Sequence, residues 1–455
     1  MDKRFPLEDQ IEMLDSALRG RLITPTHPDY DTLRLGSIAN AHNRPAAIVR
    51  VANAADVAAV LNFVQATDLE VAVRSGGHGS FGTTGGLLID LRDLNGIEVD
   101  ATSRIAWCGT GLTAGEVTAA VERHGLIVGF GDSATVGIGG LTLGGGIGYM
   151  ARRDGLTIDS LLAAEIVTAS GEIIVADAES HPDLFWALRG GGGNFGVVTR
   201  LKYRLRPLPE FTGGPLVLPA TAEVLAGFAA AAAAAPDELT TIALAMPCPP
   251  MPYLPPELYG RIVLVGMMAY SGPADGAQEA LAPFRALAKP YADLVRPAPY
   301  SSMYLPEDPE MRPQVTLRSC FTETFGVTEA RDMLARLEAC DAPMKIGQFR
   351  VLGGAVGRVS NDATAFAHRS APIMVTYVAM HGGGEDGGRH DAWGTAAIEA
   401  LAGSDGCYVN FLDSDSARRR QAAYPGRTWE RLRAIKRRYD PENLFRLNHN
   451  VPPAA

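Results

Sequence analysis

Residues 73–80 read VRSGGHGS. A strand pattern ends at Arg74, and the glycines after it predict a tight turn whose free N–H groups could surround a phosphate or pyrophosphate. A lone histidine in such a turn, here His78, is more often an incidental surface residue. The meaning of this turn therefore depends on the other glycine-rich segments of the chain.

The 50 glycines concentrate in the first half of the chain, at 76–86, 109–115, 129–148 and 190–196. Strand patterns such as Leu87–Asp90 alternate with helix patterns between these clusters. Only glycine lets a backbone pass very close to its neighbour. The first half therefore predicts an α+β unit whose backbone approaches a ligand.

The longest glycine run is GIGGLTLGGGIG at 137–148. Its G-x-G pattern is weak evidence for a dinucleotide fingerprint, which needs a preceding strand, a following helix and an acidic residue about 20 positions on. Asp159 lies in a different context, and no Gly-Lys-Ser/Thr follows to make a phosphate loop. We interpret the run as backbone packed on a flat ligand, with a nicotinamide enzyme as an alternative.

The second half of the chain differs from the first in composition and pattern. An alanine-rich helix pattern covers 223–235, and a proline-rich loop covers 247–256. Strand patterns follow at Arg261–Met268, Met344–Leu352 and Ile373–Ala379, with helix patterns between them. These features predict a sheet backed by helices.

Charge and composition exclude several classes of function. The 455 residues carry a net charge of −10 with acids and bases spread along the chain, which disfavours nucleic acid as a partner. The basic residues at 418–420 and 436–438 are interpreted as the solvated face of a C-terminal helix. The start lacks an apolar signal segment, and no membrane-spanning run occurs, so we expect a cytoplasmic protein.

The sequence offers no metal site. Five cysteines are scattered, without any C-x-x-C pair. The histidines lack the spacing of metal ligands, apart from a loose pair formed by His381 and His390. We expect this pair to be exposed to solvent rather than bound to a metal.

Four motifs in order, at 73–80, 137–148, 189–199 (RGGGGNFGVVT) and 438–450 (RYDPENLFRLNHN), resemble the berberine-bridge-enzyme-like family of FAD-linked oxidases. This family lies within the vanillyl-alcohol-oxidase superfamily. Any one glycine run is unspecific, but the ordered set is specific and spans nearly the whole chain. The resemblance implies an α+β fold: a two-subdomain FAD-binding domain plus a substrate domain with an antiparallel sheet backed by helices.

The resemblance also implies four segments. Residues 1–39 form an N-terminal segment, 40–210 the FAD-binding domain and 211–424 the substrate-binding domain. Residues 425–455 are a C-terminal segment that returns to the FAD domain.

The implied cofactor is FAD, held covalently by a bond from His78 to the flavin C8-methyl group. Some family members add a second bond from a cysteine, but this chain has Ser133 there, so we expect a single bond. Val136 falls where family oxidases carry a small residue that leaves room for oxygen. The residues implied to contact FAD are Arg74, Ser75, Gly76, Gly77, His78, Gly79, Ser80, Ser133, Val136, Gly137, Gly139, Gly140, Gly144, Gly148, Gly192, Asn194, Val197, Asn448 and Asn450.

The catalytic base is less evident. Many family members read Y-x-N-Y and use the last tyrosine as the base, whereas residues 408–411 of this chain read YVNF. Phe411 cannot accept a proton. Tyr377 is the first substitute, followed by Tyr408 and Tyr424, although each could equally be a packing residue.

By resemblance, the chain is an enzyme that passes a hydride from a small alcohol, sugar or amine to FAD, with oxygen as acceptor and hydrogen peroxide as product. Two alternatives stay open: a dehydrogenase with another electron acceptor, and a FAD-binding protein without turnover. No charge pattern in the substrate region selects a substrate, and the oligomeric state cannot be read from the sequence.

Overall fold

The computed structural model describes residues 6–37, 43–79, 81–308, 312–382, 386–401, 406–412 and 417–455. In this part of the chain the strands form three main sheets with helices packed on them. Ser80, expected to contact the cofactor, lies outside the described residues.

The first sheet is small and mostly parallel. Its strand order is β1-β2-β4-β3, with only β1 antiparallel, and its bounds are β1 Arg21–Ile23, β2 Ala47–Arg50, β3 Val71–Arg74 and β4 Leu87–Asp90. The accompanying helices are α1 Leu7–Asp15, α2 Tyr30–Leu33 and α3 Ala54–Thr67. All four residues of β4 are buried, as expected for a strand covered on both faces. The carboxyl end of β3 leads directly into the glycine turn at 75–79.

The second sheet is antiparallel, in the order β5-β6-β10-β8-β9, and β7 pairs separately with β11. Its strands are β5 Ile97–Asp100, β6 Ile105–Gly109, β7 Leu126–Ile127, β8 Leu161–Val167, β9 Ile173–Asp177, β10 Val197–Arg204 and β11 Arg206–Pro207. The helices here are α4 Ala114–Glu122, α5 Ile138–Gly144, α6 Ala151–Asp154 and α7 Pro182–Leu188. The glycine run at 137–148 therefore forms a short helix and the loop after it.

The third sheet is antiparallel throughout, in the order β15-β12-β14-β13-β18-β19-β17, with β16 also paired to β12. Its strands are β12 Phe211–Pro219, β13 Leu239–Pro247, β14 Ile262–Ser271, β15 Ala292–Asp293, β16 Arg296–Pro297, β17 Gln314–Thr322, β18 Met344–Val351 and β19 Ile373–His381. The helices are α8 Ala222–Ala234, α9 Ala274–Arg285, α10 Val327–Ala339, α11 Gly354–Arg358 and α12 Asp386–Glu399. Helices α8, α9, α10 and α12 pack against this sheet. The predicted α+β fold with an antiparallel sheet backed by helices is confirmed.

The chain ends with α13 Ala417–Ala423, α14 Arg427–Tyr439 and a tail that returns to the first two sheets. Phe445 enters the core of the first sheet, and Val451 enters that of the second. None of the described helices is both long enough and apolar enough to cross a membrane.

Lys436 corrects the interpretation of α14 as a basic helix with a solvated face. Its side chain is fully buried and forms an ion pair with Asp440 at 2.6 Å. Its Nζ also donates to the carbonyl oxygens of Asn194 at 2.8 Å and Phe445 at 3.0 Å. The neighbouring Arg437 and Arg438 are exposed, so only part of the basic run is solvated.

His381 and His390 are also not exposed, contrary to the expectation from their glycine-rich surroundings. Helix α12 packs over the end of β19 and buries both rings, which lie 4.8 Å apart between centroids.

We expect Lys436→Met to lower the free energy of unfolding by about 3–5 kcal/mol, because it leaves the buried Asp440 carboxylate without its cation. Arg437→Met on the exposed face of the same helix is the control and should change stability by no more than about 0.5 kcal/mol. Denaturant unfolding of both variants measures the difference. Equal stability of the two variants would contradict this account of the tail.

Candidate active site

A cavity of about 450 Å³ opens where the three sheets meet. Its walls come from the turn after β3, the segment around α5, the glycine loop before β10, strand β17, the 3-10 helix at 409–411 and the C-terminal tail. Segments that are far apart in sequence therefore line the same cavity.

The cavity brings together most of the residues singled out from the sequence. Those that line it are Arg74, Ser75, Gly76, Gly77, His78, Gly79, Val136, Gly137, Gly139, Gly140, Gly192, Asn194, Val197, Tyr408 and Asn448. Those that do not are Ser133, Gly144, Gly148, Tyr377, Tyr424 and Asn450.

Gly76 and Gly137 meet backbone to backbone. A Cβ atom added at Gly76 would lie 2.2 Å from the nitrogen of Gly137, and one added at Gly137 would lie 2.1 Å from the nitrogen of Gly76. No side chain fits in such a gap. The Oγ of Ser75 donates to the carbonyl oxygen of Thr110 beside this contact. The contact fixes the histidine turn against the start of α5.

Gly140 and Gly193 are glycines for a different reason. Both line the cavity, and a Cβ added at either would meet no protein atom within 4 Å. Neither has a positive φ that would demand glycine. Bare backbone facing open space is suited to a flat ligand lying against it, which is the fit expected for the flavin of FAD.

Arg74 does not offer its charge to the cavity. Its guanidinium donates to Asp90 at 2.7 Å and to the carbonyl oxygens of Leu33 and Leu35. Arg74 lines the cavity, and its two terminal guanidinium nitrogens are bound to protein groups that hold the end of β3. Its expected contact with the pyrophosphate stays a prediction.

His78 lies at the cavity wall with its Nε2 2.8 Å from the Oγ1 of Thr135. Burial lowers the pKa of the His78 imidazole, and the nearby Glu307 carboxylate opposes this only in part. The ring is therefore neutral near pH 7. Ser133 lies outside the cavity lining but shares Glu307 with Thr135 as a hydrogen-bond acceptor.

The asparagines of the tail and of the glycine loop serve two purposes. Asn194 accepts from the backbone N–H of Val451 at 2.9 Å and donates to the carbonyl oxygen of Gly191, so its side chain holds the tail at the cavity wall. The Oδ1 atoms of Asn448 and Asn450 are buried and have no hydrogen-bond partner within the described ranges. Of the two, Asn448 lines the cavity, and its Oδ1 is an acceptor available to a polar ring system.

Gly144 and Gly148 are required by packing inside the protein, which corrects their expected contact with FAD. An added Cβ would lie 2.0 Å from the Oδ1 of Asn410 at Gly144, and 1.6 Å from the carbonyl oxygen of Phe130 at Gly148. Both glycines are needed for close approach to other parts of the chain.

Two of the three candidate tyrosines lie outside the cavity. Tyr377 faces the helix side of β19 and packs on Trp393 of α12, because side chains alternate along a strand. Tyr424 lies in the core of the second sheet near Trp429. Burial raises the pKa of both phenols. We therefore withdraw both as candidate bases.

Tyr408 lines the cavity, and hydrogen-bond donors surround its phenol oxygen. The backbone N–H of Gly146 and the Nδ2 of Asn410 each donate to it at 2.9 Å. Burial raises the pKa of Tyr408 to about 12, and those two donors with the Arg350 charge counteract part of the rise. Tyr408 is thus protonated at rest, because burial outweighs the two donors and the Arg350 charge, which stabilise its phenolate only in part.

Phe411 lines the adjoining wall, and Arg350 packs against its ring. The guanidinium carbon of Arg350 lies 5.2 Å from the centroid of the Phe411 ring, a cation–π arrangement. Arg350 also binds Asp132 at 2.7 Å and thereby links β18 to the loop at 131–136. A cation therefore lies beside the Phe411 ring, next to Tyr408.

The sequence did not single out several residues of this wall. Val315 and Leu317 of β17 line the cavity, and Asn410 donates to both Tyr408 and the carbonyl oxygen of Leu141. Asn410 was visible within the Y-x-N pattern. Gln348 and Arg350, two apart in β18, were also a usable signal for a polar pair behind this wall, since such residues share one face.

Comparisons with known proteins agree with this geometry. A family model described as "FAD binding domain" matches residues 45–177, and one described as "Berberine and berberine like" matches 407–452. An uncharacterised FAD-linked oxidoreductase of Bacillus subtilis is 30% identical over 97% of this chain and 98% of its own length. The (R)-6-hydroxynicotine oxidase of Paenarthrobacter nicotinovorans is 27% identical over 96% of this chain and 97% of its own.

Solved structures show the same fold. BBE-like 1 of Physcomitrella patens superposes with a TM-score of 0.86 at 21% identity, covering 98% of this chain and 99% of its own. The berberine bridge enzyme of Eschscholzia californica gives a TM-score of 0.82 at 22% identity, covering 99% of both chains. The chain therefore belongs to the berberine-bridge-enzyme-like family of FAD-linked oxidoreductases.

Proposed function

We propose that this protein is an oxidase that takes a hydride from a small alcohol, sugar or amine, uses FAD bound through a single bond to His78, and gives hydrogen peroxide. The observation that carries the proposal is that His78, the exposed backbones of Gly140 and Gly193, and Tyr408 all line one cavity. Residues 40–210 and 425–455 would hold FAD, and 211–424 would bind the substrate.

The part of the cavity that would bind FAD offers a flat backbone surface and a hydrogen-bond acceptor. The backbones at Gly140 and Gly193 would lie against the flavin, and the unpartnered Oδ1 atom of Asn448 would accept from its ring system. FAD, when bound, supplies the hydride acceptor and the route to oxygen. A neutral His78 can act as a nucleophile toward the C8-methyl group, whereas Ser133 cannot provide a second thioether bond.

The part of the cavity that would bind the substrate contains a residue that could accept its proton. Tyr408 is the candidate tyrosine that lines the cavity, and two N–H donors together with Arg350 offset part of the penalty that burial places on its deprotonated form. It would take the proton from the hydroxyl or amine of the substrate as the C–H bond breaks. Asn410 and Gly146 would hold the phenol oxygen in place.

The proposal that oxygen is the electron acceptor rests on Val136. It lines the cavity in the loop before α5 and is a small residue. A small side chain there would leave room for oxygen beside the flavin, which favours an oxidase over a dehydrogenase.

We expect His78→Ala to lose covalent flavin. After acid denaturation and gel electrophoresis under ultraviolet light, wild-type fluorescence should stay with the protein band and that of the variant should not. Flavin washing out of the wild-type protein would disprove the bond without excluding FAD binding.

We expect Tyr408→Phe to lower kcat/KM by about 10²- to 10⁴-fold, the usual contribution of a general base. Because the pKa of Tyr408 is about 12, the deprotonated fraction grows as pH rises. Wild-type kcat/KM should therefore increase from pH 6 to 10, and the variant should lose this slope. Tyr377→Phe, the same change outside the cavity, is the control. A pH slope that persists in Tyr408→Phe would exclude Tyr408 as the base.

We expect air to reoxidise the reduced enzyme quickly, and Val136→Leu to slow that step without slowing anaerobic reduction by substrate. Stopped-flow mixing of the reduced protein with aerobic or anaerobic buffer measures both. Reoxidation that air barely accelerates in the wild type would identify a dehydrogenase instead.

A further inference from the structure

Glu307 reaches the loop beside the histidine turn from a part of the chain that is distant in sequence. It follows the 3-10 helix at Tyr300–Met303. Its two carboxylate oxygens accept hydrogen bonds from the Oγ of Ser133 and the Oγ1 of Thr135. The same Oγ1 of Thr135 lies 2.8 Å from the Nε2 of His78. His78, Thr135 and Glu307 thus form a continuous chain of hydrogen bonds.

The direction of this chain follows from which groups can donate. A carboxylate only accepts hydrogen bonds, and a threonine hydroxyl has one hydrogen. Thr135 gives that hydrogen to Glu307, so it can only accept from His78. In the neutral ring the proton therefore sits on Nε2 and the lone pair on Nδ1.

We propose that Thr135 and Glu307 are positioning residues for flavin attachment: they hold His78 in the tautomer whose Nδ1 lone pair bonds to the C8-methyl carbon, and they accept its Nε2 proton. The inference rests on the covalent bond proposed above. Ser133, which binds the second oxygen of Glu307, keeps the carboxylate facing Thr135.

The proposed attachment conserves atoms and electrons. One N–C bond forms between Nδ1 and the methyl carbon, and one C–H bond of the methyl group breaks with release of its proton. Alkylation makes the ring cationic, and the Nε2 proton passes through Thr135 to Glu307. The two electrons left by the C–H bond enter the flavin and pass to oxygen, which takes up two protons as hydrogen peroxide.

Thr135→Val and Glu307→Ala test the proposal. Absorbance of the native protein gives total FAD, and gel fluorescence after acid denaturation gives the covalent fraction, followed in air after purification. We expect attachment to slow by about 10²-fold in Thr135→Val, which removes the proton path. We expect a loss of about tenfold in Glu307→Ala, which removes one charge-assisted hydrogen bond. Thr135→Ser keeps the hydroxyl and should attach flavin as the wild type does.

The outcomes separate the two proposals. Wild-type attachment in both variants, with equal total FAD, would overturn the role of Thr135 and Glu307 while leaving the His78 bond intact. Release of flavin from the acid-denatured wild type would overturn the bond itself, and this inference with it. Should Thr135→Val fail to hold FAD, Glu307→Ala decides, because Glu307 is exposed and its removal leaves the core unchanged.

Discussion

The active site depends on one backbone contact, between Gly76 and Gly137. The chain after β3 of the parallel sheet and the start of α5 approach so closely that neither residue has room for a Cβ atom. Protein interiors are close-packed, so separating these backbones to admit a side chain would shift both segments. This contact places His78 beside Thr135 and leaves Gly140 bare at the cavity wall.

The C-terminal tail closes the same cavity through a buried charge. Lys436 is surrounded by Asp440 and by carbonyl oxygens of Asn194 and Phe445. A buried ammonium is tolerated only when it is paired and hydrogen-bonded, so the tail has one favourable position. That position presents Asn448 to the cavity.

The 3-10 helix at 409–411 and the tyrosine before it bring polar groups to the cavity beside the third sheet. Phe411 offers no proton acceptor there, whereas Gly146 and Asn410 both donate to the phenol oxygen of Tyr408. Arg350 joins two parts of the cavity wall, since it contacts the Phe411 ring and pairs with Asp132. These two parts are therefore held in one arrangement.

Local pattern determined much of this protein. Strands such as Leu87–Asp90 and the order of the glycine motifs were readable from the sequence, because periodicity and backbone freedom are properties of neighbouring residues. Tertiary structure alone decided which glycine faces the cavity and which faces Asn410, why Lys436 is buried, and that Tyr408 rather than Tyr377 meets the cavity. Alternation shows which residues share a face of a strand, but which face meets the cavity depends on partners distant in sequence.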